Sequence, residues 1–192
     1  MNTYFTSDTH FGHRNIIQHC NRPWTFEEQT DKLISNWNDV VSKRDTVYHL
    51  GDFAMFKANA VEDRMKEYRS TRQRLNGKIY LVKGNHDQMN QETYNCFTEV
   101  YDGIKEIKID GKKVTLCHYP MRSWNSSFHG AYHFFGHVHG RMERENIGLS
   151  CDVGVDVPEW KYAPVLWEDL KTKLETKKVD WEKTRRQATS RG

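Results

Sequence analysis

The sequence predicts an α/β fold, on three observations. Short runs rich in β-branched and aromatic residues alternate with stretches whose apolar residues recur at helical spacing. Two runs stop at a glycine followed by Asp or Asn, where the backbone can turn sharply without a Cβ clash. At 192 residues and 36% hydrophobic content the chain suits one domain, residues 1–192, and no Pro/Ser linker or internal repeat divides it.

Residues 3–7 (TYFTS) read as a short buried strand ending at Asp8. Residues 26–42 set Leu33, Trp37, Val40 and Val41 on one helical stripe. Thr25 is the expected N-cap of that helix, with Glu28 three residues on in the capping-box arrangement. TVYHL (46–50) is a second strand running into Gly51-Asp52. Val61, Met65, Tyr68 and Leu75 mark a second helix, and KIYLV (78–82) is a third strand ending at Gly84-Asn85. This alternation favours parallel pairing. The second half changes character: residues 104–109 and 113–118 flank Asp110-Gly111 as a hairpin. AYHFFG and CDVGVDV read as further strands, and Trp167, Leu170 and Leu174 support a C-terminal helix opening a basic tail from about residue 167.

Composition excludes some classes. With 29% charged residues and mean hydropathy −0.89, no apolar run approaches the roughly 20 residues of a membrane helix. The start, MNTYFTSDTH, lacks the pattern of a secretory signal, so a cytoplasmic address is expected. Cys20, Cys96, Cys117 and Cys151 form no Cys-x-x-Cys pair, which argues for free thiols over thiolate zinc or a disulfide framework. The net charge of +3 is uneven: residues 171–192 hold eight Lys/Arg against three acids, so the rest of the chain is slightly acidic. Such a tail can dock on nucleic acid or simply be solvated.

Chemistry concentrates where strands should end. Asp8-Thr-His10 follows the first strand, Asp52 the second, and Asn85-His86-Asp87 the third. His118 closes the LCH strand, and His137-Val-His139 lies between two glycines. Side chains at i and i+2 of an extended segment point the same way, so each such pair can share one cation. The carboxyl ends of neighbouring strands form the ligand crevice of an open α/β sheet. Seven oxygen and imidazole donors without thiolate (Asp8, His10, Asp52, Asn85, His118, His137, His139) are too many for one tetrahedral ion. They suit two divalent ions, Mn²⁺ first and Fe, Zn²⁺, Ni²⁺ or Co²⁺ as alternatives, with Asp52 the expected bridge.

In order, DTH, GD, GNHD, a single His and GHVH resemble the motifs of the calcineurin-like metallophosphoesterase superfamily over residues 4 to about 157. SDTHFGH, the RP-aromatic segment and the NWN helix resemble its small single-domain bacterial and phage members. The resemblance implies a β-sandwich flanked by helices in four layers, α/β/β/α. It also implies Asp8, His10, Asp52 and His139 on one metal, and Asp52, Asn85, His118 and His137 on the other. His86 would be the catalytic histidine at the leaving-group oxygen, oriented by Asp87. The phosphoprotein phosphatases extend the Gly-Asp motif with Asp-Arg-Gly, whereas here it reads GDFAMFK, which disfavours protein phosphatase activity.

The expected reaction is hydrolysis of a phosphodiester of the nucleotide, cyclic nucleotide or RNA-end type. Two metals about 3.5–4 Å apart acidify a bridging water and clamp the phosphoryl oxygens during in-line attack. A histidine of ordinary pKa, near 6.5, then protonates the departing alkoxide. The alternatives are a phosphomonoesterase, a nuclease using the basic tail, and a non-catalytic scaffold, which the intact donor set disfavours. His13, Arg14, Arg22 and Arg122 are candidate phosphate-binding groups. Trp124, Asn125 and His129 sit with Arg122 on a loop suited to specificity. Asp152 and Asp156, with Asp87, are candidates to fix ligand tautomers. His19, His49 and His133 read as structural, and the sequence assigns no oligomeric state.

Overall fold

A computed structural model describes residues 1–57, 60–87, 91–142 and 147–177. Strand β1 (Thr3–Thr6) leads through the single turn α1 (Ile16–His19) to helix α2 (Phe26–Val40) and strand β2 (Thr46–His49). Helix α3 (Val61–Arg74), strand β3 (Lys78–Val82), the single turn α4 (Gln91–Tyr94) and strand β4 (Glu99–Tyr101) follow. Strands β5 (Ile104–Ile109), β6 (Lys112–Cys117), β7 (Tyr132–Phe135), β8 (Ser150–Asp152) and β9 (Val165–Leu166) complete the sheets. Residues 167–177 are helical and are called α5. The tail beyond residue 177 lies outside the described residues, and the expectation for it with them.

Two mixed sheets result, flanked by helices. The first has the order β4-β3-β2-β1-β9 and the second β5-β6-β7-β8. Pairing among β1 to β4 is parallel, and so are the pairs β6-β7 and β7-β8, while β9 runs antiparallel to β1 and β5 antiparallel to β6. Residue alternation divides the core. Phe5 of β1 faces the second sheet, where its ring meets Phe134 edge-on at 4.7 Å, in a cluster with Val82, Val114, Leu116 and Tyr132. Its neighbour Tyr4 turns the other way, onto Leu33 and Trp37 of α2. Helix α2 begins as its sequence dictates: Thr25 and Glu28 form the reciprocal capping box.

Two departures from the sequence reading follow from tertiary pairing. β9 joins the first sheet beside β1, a partnership between residues 160 positions apart that local patterning does not encode. CDVGVDV is strand only to Asp152, because Val153 then donates to Phe135 O (2.9 Å) and Val155 to Ser7 O (3.0 Å). The chain thus crosses from the second sheet to the first. Trp160 is buried beside this crossing and donates from Nε1 to Asp152 O at 2.9 Å.

Candidate active site

The parallel strands of both sheets deliver their carboxyl ends to one place. Beyond β1 and β2 the backbones stay zipped, Asp8 N–H to Gly51 O and His10 N–H to Asp52 O, both at 3.0 Å. From the other sheet, His137 N–H donates to the Asp8 carboxylate (2.9 Å) and Gly136 N–H to His118 O (3.0 Å). Glycines permit the approach. A Cβ on Gly136 would stand 2.0 Å from Ser7 Oγ and 2.4 Å from Asp8 Oδ2, and one on Gly84 2.3 Å from Asp52 Oδ1.

Two donor clusters of Asp and His alone form, Asp8-His10-His139 and Asp52-His118-His137, the donor atoms of each lying within 4.8 Å of one another; Cys20, His139 and Asp156 make a third group that shares His139. Asp52 links them: its Oδ2 is 3.5 Å from His10 Nε2 and 3.5 Å from His118 Nε2. Asn85 Oδ1 lies 3.1 Å from His118 Nε2, which puts it beside the second cluster. The two i, i+2 pairs are not extended as the sequence suggested. Asp8, His10, Asp52, His137 and His139 all have φ between 48° and 70°. Left-handed backbone at non-glycine residues is strained, and it concentrates at functional sites. His137 and His139 fall in different clusters, whereas Asp8 and His10, with the same left-handed backbone, share one.

The donors fit cations. Neither ring nitrogen of buried His10 has a hydrogen-bond partner, and burial pushes the ring down to about 2, so it is a neutral base. Burial also pushes Asp8 up to about 7, a carboxylate that a cation would relieve. His118 Nδ1 donates to Leu50 O (2.8 Å), leaving Nε2 facing Asp52 and Asn85. His139 Nδ1 donates to Asp156 Oδ2 at 2.7 Å; against its burial, that bond raises the ring to about 10. Burial opposes ionisation of Asp52, yet contacts from His118, His86 N–H and His10 hold it well below the usual carboxylate range. Oxygen and imidazole donors of this kind suit divalent transition metals.

His86, Asn85 and His137 are exposed at the mouth. The His86 ring lies 5.5 Å from that of His10, and its backbone N–H donates to Asp52 Oδ1 at 2.9 Å. Half-buried His13 lies beside both, ring centroids 5.3 Å from His10 and 6.2 Å from His86, with Nδ1 unpartnered.

Several expectations need correction. Asp87 does not reach the His86 ring among its described contacts; its carboxylate accepts Asp52, Phe53 and Gly84 N–H at 2.7, 2.9 and 2.9 Å, bracing two ligand loops. Arg22, expected on phosphate, is buried and fully bonded to Asp156, Asp8 O, Thr9 O and Gln29. Arg14 lies at the surface, 4.0 Å over the Phe26 ring and 3.6 Å from Glu27. Arg122 is exposed four residues beyond His118. Trp124 is buried against His133 on the outer face of the second sheet, and Asn125 bonds Glu106 of β5, so neither is at the clusters. Sequence reasoning missed Tyr119. Its ring packs on His118 (5.0 Å) and His137 (4.8 Å), and its only signal in the sequence was adjacency to His118.

A model described as the calcineurin-like phosphoesterase superfamily domain matches residues 1–153. An uncharacterized protein of Methanocaldococcus jannaschii is 36% identical over 160 residues, covering 78% of this chain and 81% of its own. The gene 66 protein of Mycobacterium phage L5 is 33% identical over 190 residues, covering 81% and 86%. The solved structure of a protein of unknown function from Aquifex aeolicus superposes with TM-score 0.67 at 27% identity, over 89% of this chain and 98% of that one.

Proposed function

The chain belongs to the calcineurin-like phosphoesterase superfamily, and from that premise we propose that it is a dinuclear, metal-dependent phosphodiesterase. One observation carries the reading: a single oxygen, Asp52 Oδ2, stands 3.5 Å from an imidazole nitrogen of each cluster. Asp8, His10, Asp52 and His139 would hold one cation, and Asp52, Asn85, His118 and His137 the other. Bound divalent ions, Mn²⁺ first among them, supply Lewis acidity to phosphoryl oxygens and acidify water.

The chain's own groups do the rest. His86, exposed at the mouth and tethered through its backbone to Asp52, would give a proton to the departing ester oxygen. His13 stands beside it as a phosphate or proton partner. Exposure of Asn85, His86 and His137 leaves room for both arms of a diester to extend outward, which supports the diester over the monoester. The whole chain is read as one domain, its basic tail being the feature that would favour a nucleic-acid substrate.

Mn²⁺-dependent hydrolysis of bis-p-nitrophenyl phosphate and p-nitrophenyl phosphate tests this. Diester turnover should exceed monoester turnover and disappear in Asp52→Asn. His86→Ala should lose about 10²–10⁴-fold with an alkyl leaving group, and less with nitrophenolate, which departs without a proton. Monoester turnover alone would make the enzyme a phosphomonoesterase. No turnover of either ester with metals bound would return the chain to the scaffold reading.

A further inference from the structure

We propose that Tyr119 is an aromatic platform that selects phosphate esters carrying a nucleobase. The inference rests on the phosphoesterase reading of the site and names its substrate class. Tyr119 is 46% exposed, so its ring is open to a bound group. Its ring stands nearly perpendicular to two candidate ligand rings, at 72° to His118 and 68° to His137. Those two histidines are themselves edge to face at 5.0 Å and 69°. Three mutually crossed rings form the wall of the second cluster, and the open surface of the tyrosine is its rim.

The platform is also pre-set. His118 is fixed by Nδ1 to Leu50 O, and Pro120 restricts the backbone of Tyr119 to extended conformations. Little further freedom is lost when a ring settles on it. A phosphate held between the clusters would have this aromatic surface beside it on the Asp52-His118-His137 side, in contact with the His118 and His137 rings. Bases stack on such platforms whatever their sequence, because every base has a π face. A small alkyl ester has no planar group to offer the platform.

The test is calorimetric binding to the full-length Mn²⁺-loaded protein. One ligand is the phosphonate analogue of adenosine monophosphate, whose P–C bond resists hydrolysis; the other is methylphosphonate. The nucleoside compound should bind about tenfold or more tightly. That margin should collapse in Tyr119→Ala and persist in Tyr119→Phe, since stacking needs the ring and not the hydroxyl. Equal affinities in the wild-type protein, or a margin that survives Tyr119→Ala, would overturn the platform. Loss of the margin in Tyr119→Phe would overturn it too, by assigning the effect to the hydroxyl. Failure of hydrolysis with the margin intact would instead remove the enzymatic reading and leave the platform standing.

Discussion

Arg22 and Asp156 form a bidentate ion pair beneath the site, Nε to Oδ1 at 2.7 Å and Nη2 to Oδ2 at 2.8 Å, with side chains 0% and 2% exposed. Asp156 Oδ2 also accepts His139 Nδ1 at 2.7 Å. Through Nη2 and Nη1 the same guanidinium holds the carbonyls of Asp8 and Thr9. One arginine thus ties the β1 loop to a ligand on the opposite sheet, and its planar fork is what allows it.

Replacing Arg22 by Ala leaves Asp156 buried without its cation, and breaking such a pair costs about 3–5 kcal/mol. Urea unfolding should show that loss. Arg22→Lys should recover little of it, because an ammonium has no fork to span Asp156 and two carbonyls. Metal affinity should fall about 10–100-fold, because Asp156, which holds His139 Nδ1, loses its own anchor. A wild-type urea midpoint in Arg22→Ala would show that the pair contributes nothing.

Gly136→Ala isolates the demand for close approach. The added methyl meets Ser7 Oγ at 2.0 Å and Asp8 Oδ2 at 2.4 Å, so the β1 loop must shift. Overpacking of this kind costs about 1–3 kcal/mol, and the shift should also weaken metal binding. Gly111→Ala is the control: at φ +76° it is strained, yet its Cβ would meet nothing within 4 Å. It should lose about 1–2 kcal/mol and bind metal as before. Equal metal titrations for Gly136→Ala and wild type would refute the close-approach argument.

His133 makes stability depend on pH. Its Nδ1 donates to Thr115 O (3.0 Å) and Nε2 accepts Met121 N–H (3.1 Å), so the fully buried ring must stay neutral. Burial, against the Thr115 bond, lowers its pKa to about 4 from 6.5. Between those values the unfolded chain binds the proton and the folded one does not. Stability is therefore complete above pH 6.5 and declines as pH falls toward 4, by on the order of 3 kcal/mol from this group. Buried His49, lowered to about 3, adds to the same slope. Urea titrations at pH 7, 5.5 and 4.5 should show a shallower slope for His133→Phe than for wild type; parallel slopes would contradict the assignment.

Much of the fold and site was legible where local chemistry decides the outcome. The capping box at Thr25, the Asp110-Gly111 hairpin and the strand ends at Asp8, Asp52 and Asn85 all follow from short-range rules. Other features depend on partners distant in sequence. Arg22 reads as a surface phosphate binder until Asp156, 134 residues away, is seen beside it. Asp87 reads as a partner for its neighbour His86, but backbone N–H groups from the Asp52 loop claim its carboxylate. Left-handed backbone at His137 and His139 was also hidden, since extended geometry is the default for an i, i+2 pair.

In the proposed centre Asp52 joins two metal sites. Mn²⁺ stoichiometry by equilibrium dialysis, read with electron paramagnetic resonance of the bound ions, tests it most directly. Two ions per chain with an exchange-coupled spectrum are expected, with loss of both the coupling and at least one ion in Asp52→Asn. A single ion per chain, or two uncoupled ions that Asp52→Asn leaves in place, would contradict it.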